Sequence, residues 1–146
     1  MARSKEEQLE LLDAMVMTCI PFMHQVMEKG TEYVEEFCGT AGPVFHRMMG
    51  PGMTPLEVSQ KMSDFIKKHI SLITNRPSTF KPAWACLAKH LTHEQKVDFL
   101  TNMPRLAGQD IDNMEQWVLG IVGLCTMNLF DPPQARQFMD EHNMHP

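Results

Sequence analysis

The chain has 146 residues, of which 43% are hydrophobic and 21% charged, and its formal net charge is −5. This apolar content excludes an intrinsically disordered chain, and the length suits one domain over residues 1–146 with its own core. The longest stretch without a charge, residues 116–130, is too short to span a bilayer, and acidic residues near the N-terminus argue against a signal peptide.

The four cysteines are widely spaced, at Cys19, Cys38, Cys86 and Cys125, and none forms a CxxC pair. This spacing fits neither a disulfide scaffold nor a zinc framework. We therefore expect reduced, buried thiols and a cytoplasmic location. A mature secreted form with two disulfides is the alternative.

Helix signals begin at the N-terminus. Ser4 and Glu7 form a capping box, and the apolar residues that follow, from Leu9 to Val26, alternate in steps of three and four. Pro21 is expected to kink or break this helix near Ile20, because proline removes a backbone donor and clashes with the preceding turn. The 9–26 seam is also a candidate surface for a homo-oligomer. A short second helix is predicted from Thr31 to Phe37 or Cys38.

Residues 39–53 contain four Gly and two Pro, a composition typical of a loop. We predict a Gly/Pro/Met-rich loop here, with at most one helical turn from Pro43 to Met49. A better helix start follows, where Thr54, Pro55 and Glu57 predict a cap for a helix over 54–75. Further helices are predicted over 82–91 and over 92–103.

The segment from about 110 to 130 is apolar over nearly its whole circumference, which is typical of a helix in the middle of a bundle. A last amphipathic helix starts at Asp131, and residues 142–146 are expected to be a frayed tail. No stretch alternates in the manner of a strand. The sequence therefore predicts an all-α fold, a single compact bundle of six or seven helices around a central hydrophobic helix.

Charge is segregated along the chain. Residues 1–38 and 110–146 each carry a net charge of −5, whereas residues 39–109 carry +5. Either the acidic ends flank the basic middle and form weak surface pairs, or the basic residues meet an acidic partner. Nucleic acid is an improbable partner for a chain that is acidic overall.

Signals for catalysis or metal binding are weak. No nucleophile elbow and no phosphate-binding glycine loop occur in the sequence, so an enzyme is not expected. Cys86, His90 and His93 are spaced four and three apart, which would place them on one face of a continuous helix. Thr92 is predicted to cap a new helix between the two histidines, so we expect neither a metal nor a cofactor.

The 14 methionines are the main compositional anomaly, since methionine is common at binding surfaces that accept varied apolar partners. The 39–53 loop is the predicted site, either as a lid or contact surface or as simple core packing. Its candidate residues are Phe45, His46, Arg47, Met48, Met49 and Met53, with Met23 and Met27 from the first helix.

The sequence therefore favours a non-enzymatic binding module whose Met-rich groove accommodates an apolar segment or amphipathic helix of a partner protein. One alternative is a carrier that holds a lipid or another hydrophobic small molecule in an internal cavity. A second alternative is a metal or haem binder that uses His and Met ligands.

Overall fold

The computed structural model describes residues 4–20, 30–49, 52–69, 77–106, 111–113 and 116–144. Within these ranges the chain forms seven α-helices and no strand, which confirms the predicted all-α bundle. The helices are α1 Lys5–Cys19, α2 Thr31–Met49, α3 Pro55–His69, α4 Pro77–His90, α5 His93–Leu106, α6 Gln116–Leu129 and α7 Pro132–Glu141, with a 3-10 turn at Ile111–Asn113.

Helix α1 lies at the centre of this arrangement and packs against α2, α3 and α4. The predicted Ser4–Glu7 capping box begins it, and it ends at Cys19, close to the predicted break. Leu12, Val16 and Cys19 are at most 1% exposed. The proposed oligomer seam is therefore wrong for residues 9–19, because the chain's own helices cover it; Met23 and Val26 lie outside the described residues.

The structure overturns the predicted loop over residues 39–49, because α2 continues without a break through Gly39, Gly42 and Pro43 to Met49. Residues 50 and 51 lie outside the described residues, and residues 52 and 53 form a turn before α3. A proline inside a helix costs about 3 kcal/mol and each glycine about 1 kcal/mol relative to alanine. Full burial of a Phe or Met side chain contributes about 1.5–3 kcal/mol. Since this part of α2 buries Phe45, Met48 and Met49, packing outweighs the unfavourable local propensity.

The C-terminal tail is ordered as far as Met144, contrary to the prediction for residues 142–144. Asn143 adopts the left-handed conformation, with φ 53°. The backbone N–H groups of Asn143 and Met144 donate to the carbonyl oxygens of Asp140 and Met139, at 3.3 and 2.9 Å. These two bonds form a Schellman motif, and the Met144 side chain is buried. The tail therefore caps α7.

Candidate partner-binding groove

The predicted methionine site lies in the core. Phe45, Met48, Met49 and Met53 are each at most 5% exposed, and the Phe45 ring lies 5.9 Å from that of Phe99 on α5. Of the two alternatives for this segment, the structure therefore supports simple packing and not a lid or contact surface. His46 is half-buried and Arg47 is exposed, and Met23 and Met27 lie outside the described residues.

A side chain of α5 fixes the end of α2. Gln95 accepts a hydrogen bond from the Thr92 N–H at 3.0 Å, and Thr92 accepts one from the Gln95 N–H at 3.2 Å, as the predicted cap requires. The Gln95 side-chain amide also donates to the Met48 carbonyl oxygen at 3.1 Å. Gln95 therefore satisfies backbone groups at the end of one helix and the start of another.

The histidine cluster predicted as a weak metal candidate is divided by this cap. Cys86 and His90 belong to α4, whereas His93 is the first residue of α5, and its ring lies 5.3 Å from that of Phe130. Among the residues that the structure describes, no group of three His, Cys, Asp or Glu side chains has the geometry to hold a metal ion.

An apolar groove of about 370 Å³ lies between α6 and α7. Its size is within the usual range for sites that accept small molecules or single side chains. Arg136 and Asp140, one helical turn apart on α7, supply its charged groups. Its lining residues are Met127, Pro132, Ala135, Arg136, Met139 and Asp140.

Helix α6 is the predicted central hydrophobic helix, but its neighbours cover only part of it. Val122, Cys125 and Leu129 are buried, as expected, whereas Leu124 is 36% exposed and Met127 is 61% exposed. The helix contains no charged residue. Gly120 is also exposed, so Gly120, Leu124 and Met127 form an exposed stripe in steps of four and three residues along α6.

The glycines of α6 have no close neighbour within the described part of the chain. A Cβ added at Gly120 or at Gly123 would meet no such atom within 4 Å. Among the described residues, no neighbouring helix of the same chain therefore approaches α6 closely at these two glycines. At Gly120, the missing side chain leaves room for a backbone from outside.

Aromatic contacts hold α7 against the bundle. Phe130, in the turn between α6 and α7, lies 6.0 Å from Phe138 between ring centroids, and Phe138 stacks on His142 at 4.2 Å. The Lys96 ammonium group of α5 lies 5.9 Å from the Phe130 ring centroid, within the range of a cation–π interaction. These contacts position one wall of the groove.

A second groove, of about 510 Å³, lies between α2 and α3, and its lining is polar and apolar in equal measure. Glu35 accepts hydrogen bonds from Lys67 at 2.6 Å and from Ser63 at 3.1 Å. The hydrogen bond from Lys67 has the larger effect and that from Ser63 the smaller, and both lower the pKa of the Glu35 carboxyl group below its ordinary value. The acid at the centre of this groove is therefore already engaged by its own neighbours.

The basic middle of the chain faces the acidic first helix. His69, Lys61 and Lys68 of α3 act electrostatically on Asp13, although desolvation is the larger effect and raises the pKa of this carboxyl group. The interpretation that the segregated charges form weak surface pairs is supported instead by the ion pair between Lys67 of the basic middle and Glu35 of the acidic N-terminal segment. The acidic C-terminal segment, residues 110–146, has one basic residue of its own, Arg136.

The prediction from sequence missed every residue that lines the α6–α7 groove. The signal available in the sequence was the uncharged run over residues 116–130. A helix that is apolar on all sides needs neighbours on all sides, so a side that its own chain leaves uncovered is a candidate contact surface. Comparison of the chain with models of protein families, with curated proteins and with solved structures finds no match. Of the helices that the structure describes, none is both long and apolar enough to cross a membrane.

Proposed function

We propose that the protein is a non-enzymatic binding module that accommodates an amphipathic helix of a partner protein on α6 and in the α6–α7 groove. The observation that carries the proposal is the exposure of Leu124 and Met127 on a helix without charged residues. Burial of a large apolar side chain contributes about 1.5–3 kcal/mol, so a partner that covers both residues gains a substantial share of its binding energy there.

The spacing of the stripe favours a helical partner. Gly120, Leu124 and Met127 recur in steps of four and three, the spacing at which one helix offers apolar contacts to another. The stripe is continuous with the groove, since Met127 belongs to both. A partner helix lying along α6 places its apolar side chains against Leu124 and inserts one of them beside Met127 and Met139.

The proposal differs from the sequence-based one in the location of the site. The carrier alternative and the metal or haem alternative remain predictions.

The test uses a fluorescein-labelled 18-residue peptide in which Leu recurs at helical spacing and Lys and Glu fill the other positions in equal number. Binding is measured by fluorescence anisotropy with the wild-type chain and with the double variant Leu124→Gln, Met127→Gln.

We expect the double variant to bind the peptide at least tenfold more weakly, which corresponds to about 1.4 kcal/mol. Glutamine has nearly the same helix propensity as Leu and Met, so the helix itself is retained. Leu56→Gln is the matched control, because Leu56 is 68% exposed on α3 and lines the second groove, not the α6–α7 groove. Failure of the wild type to bind, or equal weakening by the control, would contradict the proposal.

A further inference from the structure

We infer that the side chain that a partner helix inserts into the α6–α7 groove is a tyrosine. The inference rests on the proposed function, because it names the chemical class of the group that docks in that groove. It follows from the lining of the groove, which combines thioethers with one hydrogen-bond donor group and one acceptor group of opposite charge.

The apolar lining of the groove favours an aromatic ring. Met127 of α6 and Met139 of α7 both line it, so each of the two helices contributes a thioether. A thioether sulfur makes favourable contacts with aromatic rings, in addition to the gain from burying apolar area. The volume of about 370 Å³ is within the range of small-molecule sites, so the groove admits the largest side chains. A ring therefore gains contacts here that an aliphatic side chain of similar size lacks.

The polar lining favours a ring that ends in a hydroxyl group. Arg136 and Asp140 are the charged residues of the groove, and their charges balance. They are one turn apart on α7, where side chains are neighbours. A guanidinium group only donates hydrogen bonds and a carboxylate only accepts them, whereas a phenol does both. A tyrosine hydroxyl therefore donates to Asp140 and accepts from Arg136, and the several lone pairs of a carboxylate allow this bond beside the contacts that Asp140 makes within the chain.

Other side chains match this lining less well. Phenylalanine offers the charged pair no hydrogen bond, and tryptophan offers a donor for Asp140 but no acceptor for Arg136. A lysine or glutamate in the groove meets a like charge as well as an opposite one, because the pair is balanced. Tyrosine is also among the residues that most often dominate the binding energy of protein interfaces.

The tyrosine must come from another protein. The chain has a single tyrosine, Tyr33 of α2, and it is 7% exposed. Its side chain belongs to the core, so a second copy of the folded chain offers no tyrosine to the groove. The occupant is therefore a helix of a different chain.

The experiment uses four labelled peptides that share the 18-residue design of the functional test and differ at one central Leu position. This position holds Leu, cyclohexylalanine, Phe or Tyr, and cyclohexylalanine has nearly the size of Phe without its aromatic electrons. All four peptides have the same net charge, so the exposed bases on the helices that pack against α6, Lys81, Lys89 and Arg105, act on them alike.

The expected order of affinity follows from the two parts of the lining. By fluorescence anisotropy, the Phe peptide should bind at least threefold more tightly than the cyclohexylalanine peptide, because the thioethers favour a ring with aromatic electrons. The Tyr peptide should bind at least threefold more tightly than the Phe peptide. Burial alone would give the opposite order for this second pair, since a hydroxyl group without a partner is costly to desolvate.

Protein variants assign each preference to its residues. Met127→Leu, Met139→Leu nearly conserves side-chain volume and should reduce the preference for Phe over cyclohexylalanine to below twofold. Asp140→Ala should reduce the preference for Tyr over Phe to below twofold. Glu141→Ala is the matched control, because Glu141 is the next residue of α7, is exposed and does not line the groove. It should leave both ratios within twofold of the wild type.

The outcomes separate this inference from the proposed function. If the four peptides bind equally and Leu124→Gln, Met127→Gln weakens each of them, the tyrosine is wrong and the docking surface stands. If Tyr binds no more tightly than Phe, or if Glu141→Ala lowers their ratio as much as Asp140→Ala, the inference is overturned. If no peptide binds, the proposed function fails together with it. A dimer in sedimentation that Met127→Gln abolishes would put a second copy in the groove and contradict the tyrosine.

Discussion

Gly42 of α2 lies directly against Ser59 of α3, so closely that a Cβ at position 42 would lie 3.2 Å from the Ser59 Cβ and closer still to its Oγ. The Ser59 hydroxyl donates to the Cys38 carbonyl oxygen at 3.2 Å. These two helices form the most extensive helix pair among the described elements. Glycine at position 42 therefore sets their separation.

Gly42→Ala should destabilise the protein by about 1–3 kcal/mol, because the added methyl group either turns the Ser59 hydroxyl away from the Cys38 carbonyl oxygen or forces the two helices apart. The measurement is the free energy of unfolding in urea. Gly39→Ala is the matched control on the same helix, where no described atom lies within 4 Å of the new Cβ, and it should stabilise by about 0.5–1 kcal/mol. Equal effects at the two positions would show that helix propensity, and not the contact with Ser59, decides the result.

A second prediction concerns the Schellman motif at the end of α7. Asn143→Gly should be neutral or slightly stabilising, since glycine has no penalty at positive φ, whereas Asn143→Val should cost about 1–2 kcal/mol. Met144→Ala should cost about 2 kcal/mol through lost burial. Thermal unfolding measures all three variants. If the tail were frayed instead, none of the three substitutions would change the melting temperature.

Local signals in the sequence predicted three side-chain caps correctly, whereas Asp131 stands at the start of α7 without a capping hydrogen bond from its side chain, and tertiary packing decided the rest. Ser4 with Glu7, Thr54 with Glu57 and Thr92 with Gln95 form the expected hydrogen bonds, at 3.1, 3.1 and 3.2 Å from hydroxyl oxygen to backbone nitrogen. Each cap depends only on residues three positions apart. Such signals are readable without the fold.

The course of α2 and the position of the groove depend on distant residues. Gly42 and Pro43 predicted a loop, but α2 gains the burial of Phe45 against Phe99, which lies 54 positions later in the chain. Similarly, the pattern of α6 shows that it is apolar, but which of its faces stays exposed depends on how α4, α5 and α7 pack against it. The candidate site was therefore unpredictable from the sequence, although the helix that carries it was predicted.

A third prediction concerns the thiols. Cys19, Cys38 and Cys125 are buried and Cys86 is half-buried. Desolvation raises the pKa of all four thiols, and that of Cys38 rises from its ordinary value of 9.0 to about 12. In native protein at pH 8, Ellman's reagent should modify one thiol quickly, and all four should react after unfolding without reductant. Cys86→Ser should abolish the fast phase; fewer than four thiols in the unfolded chain would indicate disulfides.

The same shifts predict a loss of stability in alkali. A thiol whose pKa is higher in the folded state than in the unfolded state stabilises the fold fully below pH 9. As the pH rises from 9 towards 12, the unfolded chain loses protons that the folded chain retains, at a cost of up to about 1.4 kcal/mol per pH unit for each thiol. Urea unfolding at pH 8 and pH 10.5 should show this decrease, and Cys38→Ala should reduce it. If the free energy of unfolding falls between pH 8 and pH 10.5 by the same amount in Cys38→Ala as in the wild type, the Cys38 thiolate is accommodated in the fold.

The last prediction separates the buried methionines of α2 from the exposed apolar residues of α6. Met48→Ser with Met49→Ser should lower the free energy of unfolding by more than about 4 kcal/mol, because both side chains are at most 4% exposed and each truncation leaves a cavity and a buried hydroxyl. Leu124→Gln with Met127→Gln should change it by less than about 1 kcal/mol, since both residues are on the surface. Urea denaturation of the two double variants and the wild type gives the comparison directly. If the Met48, Met49 variant stays as stable as the wild type, α2 does not pack through these residues, and the loop predicted over 39–53 would again be the better description. If the Leu124, Met127 variant unfolds instead, its side chains belong to the core, and the α6–α7 surface loses its claim to be a binding site.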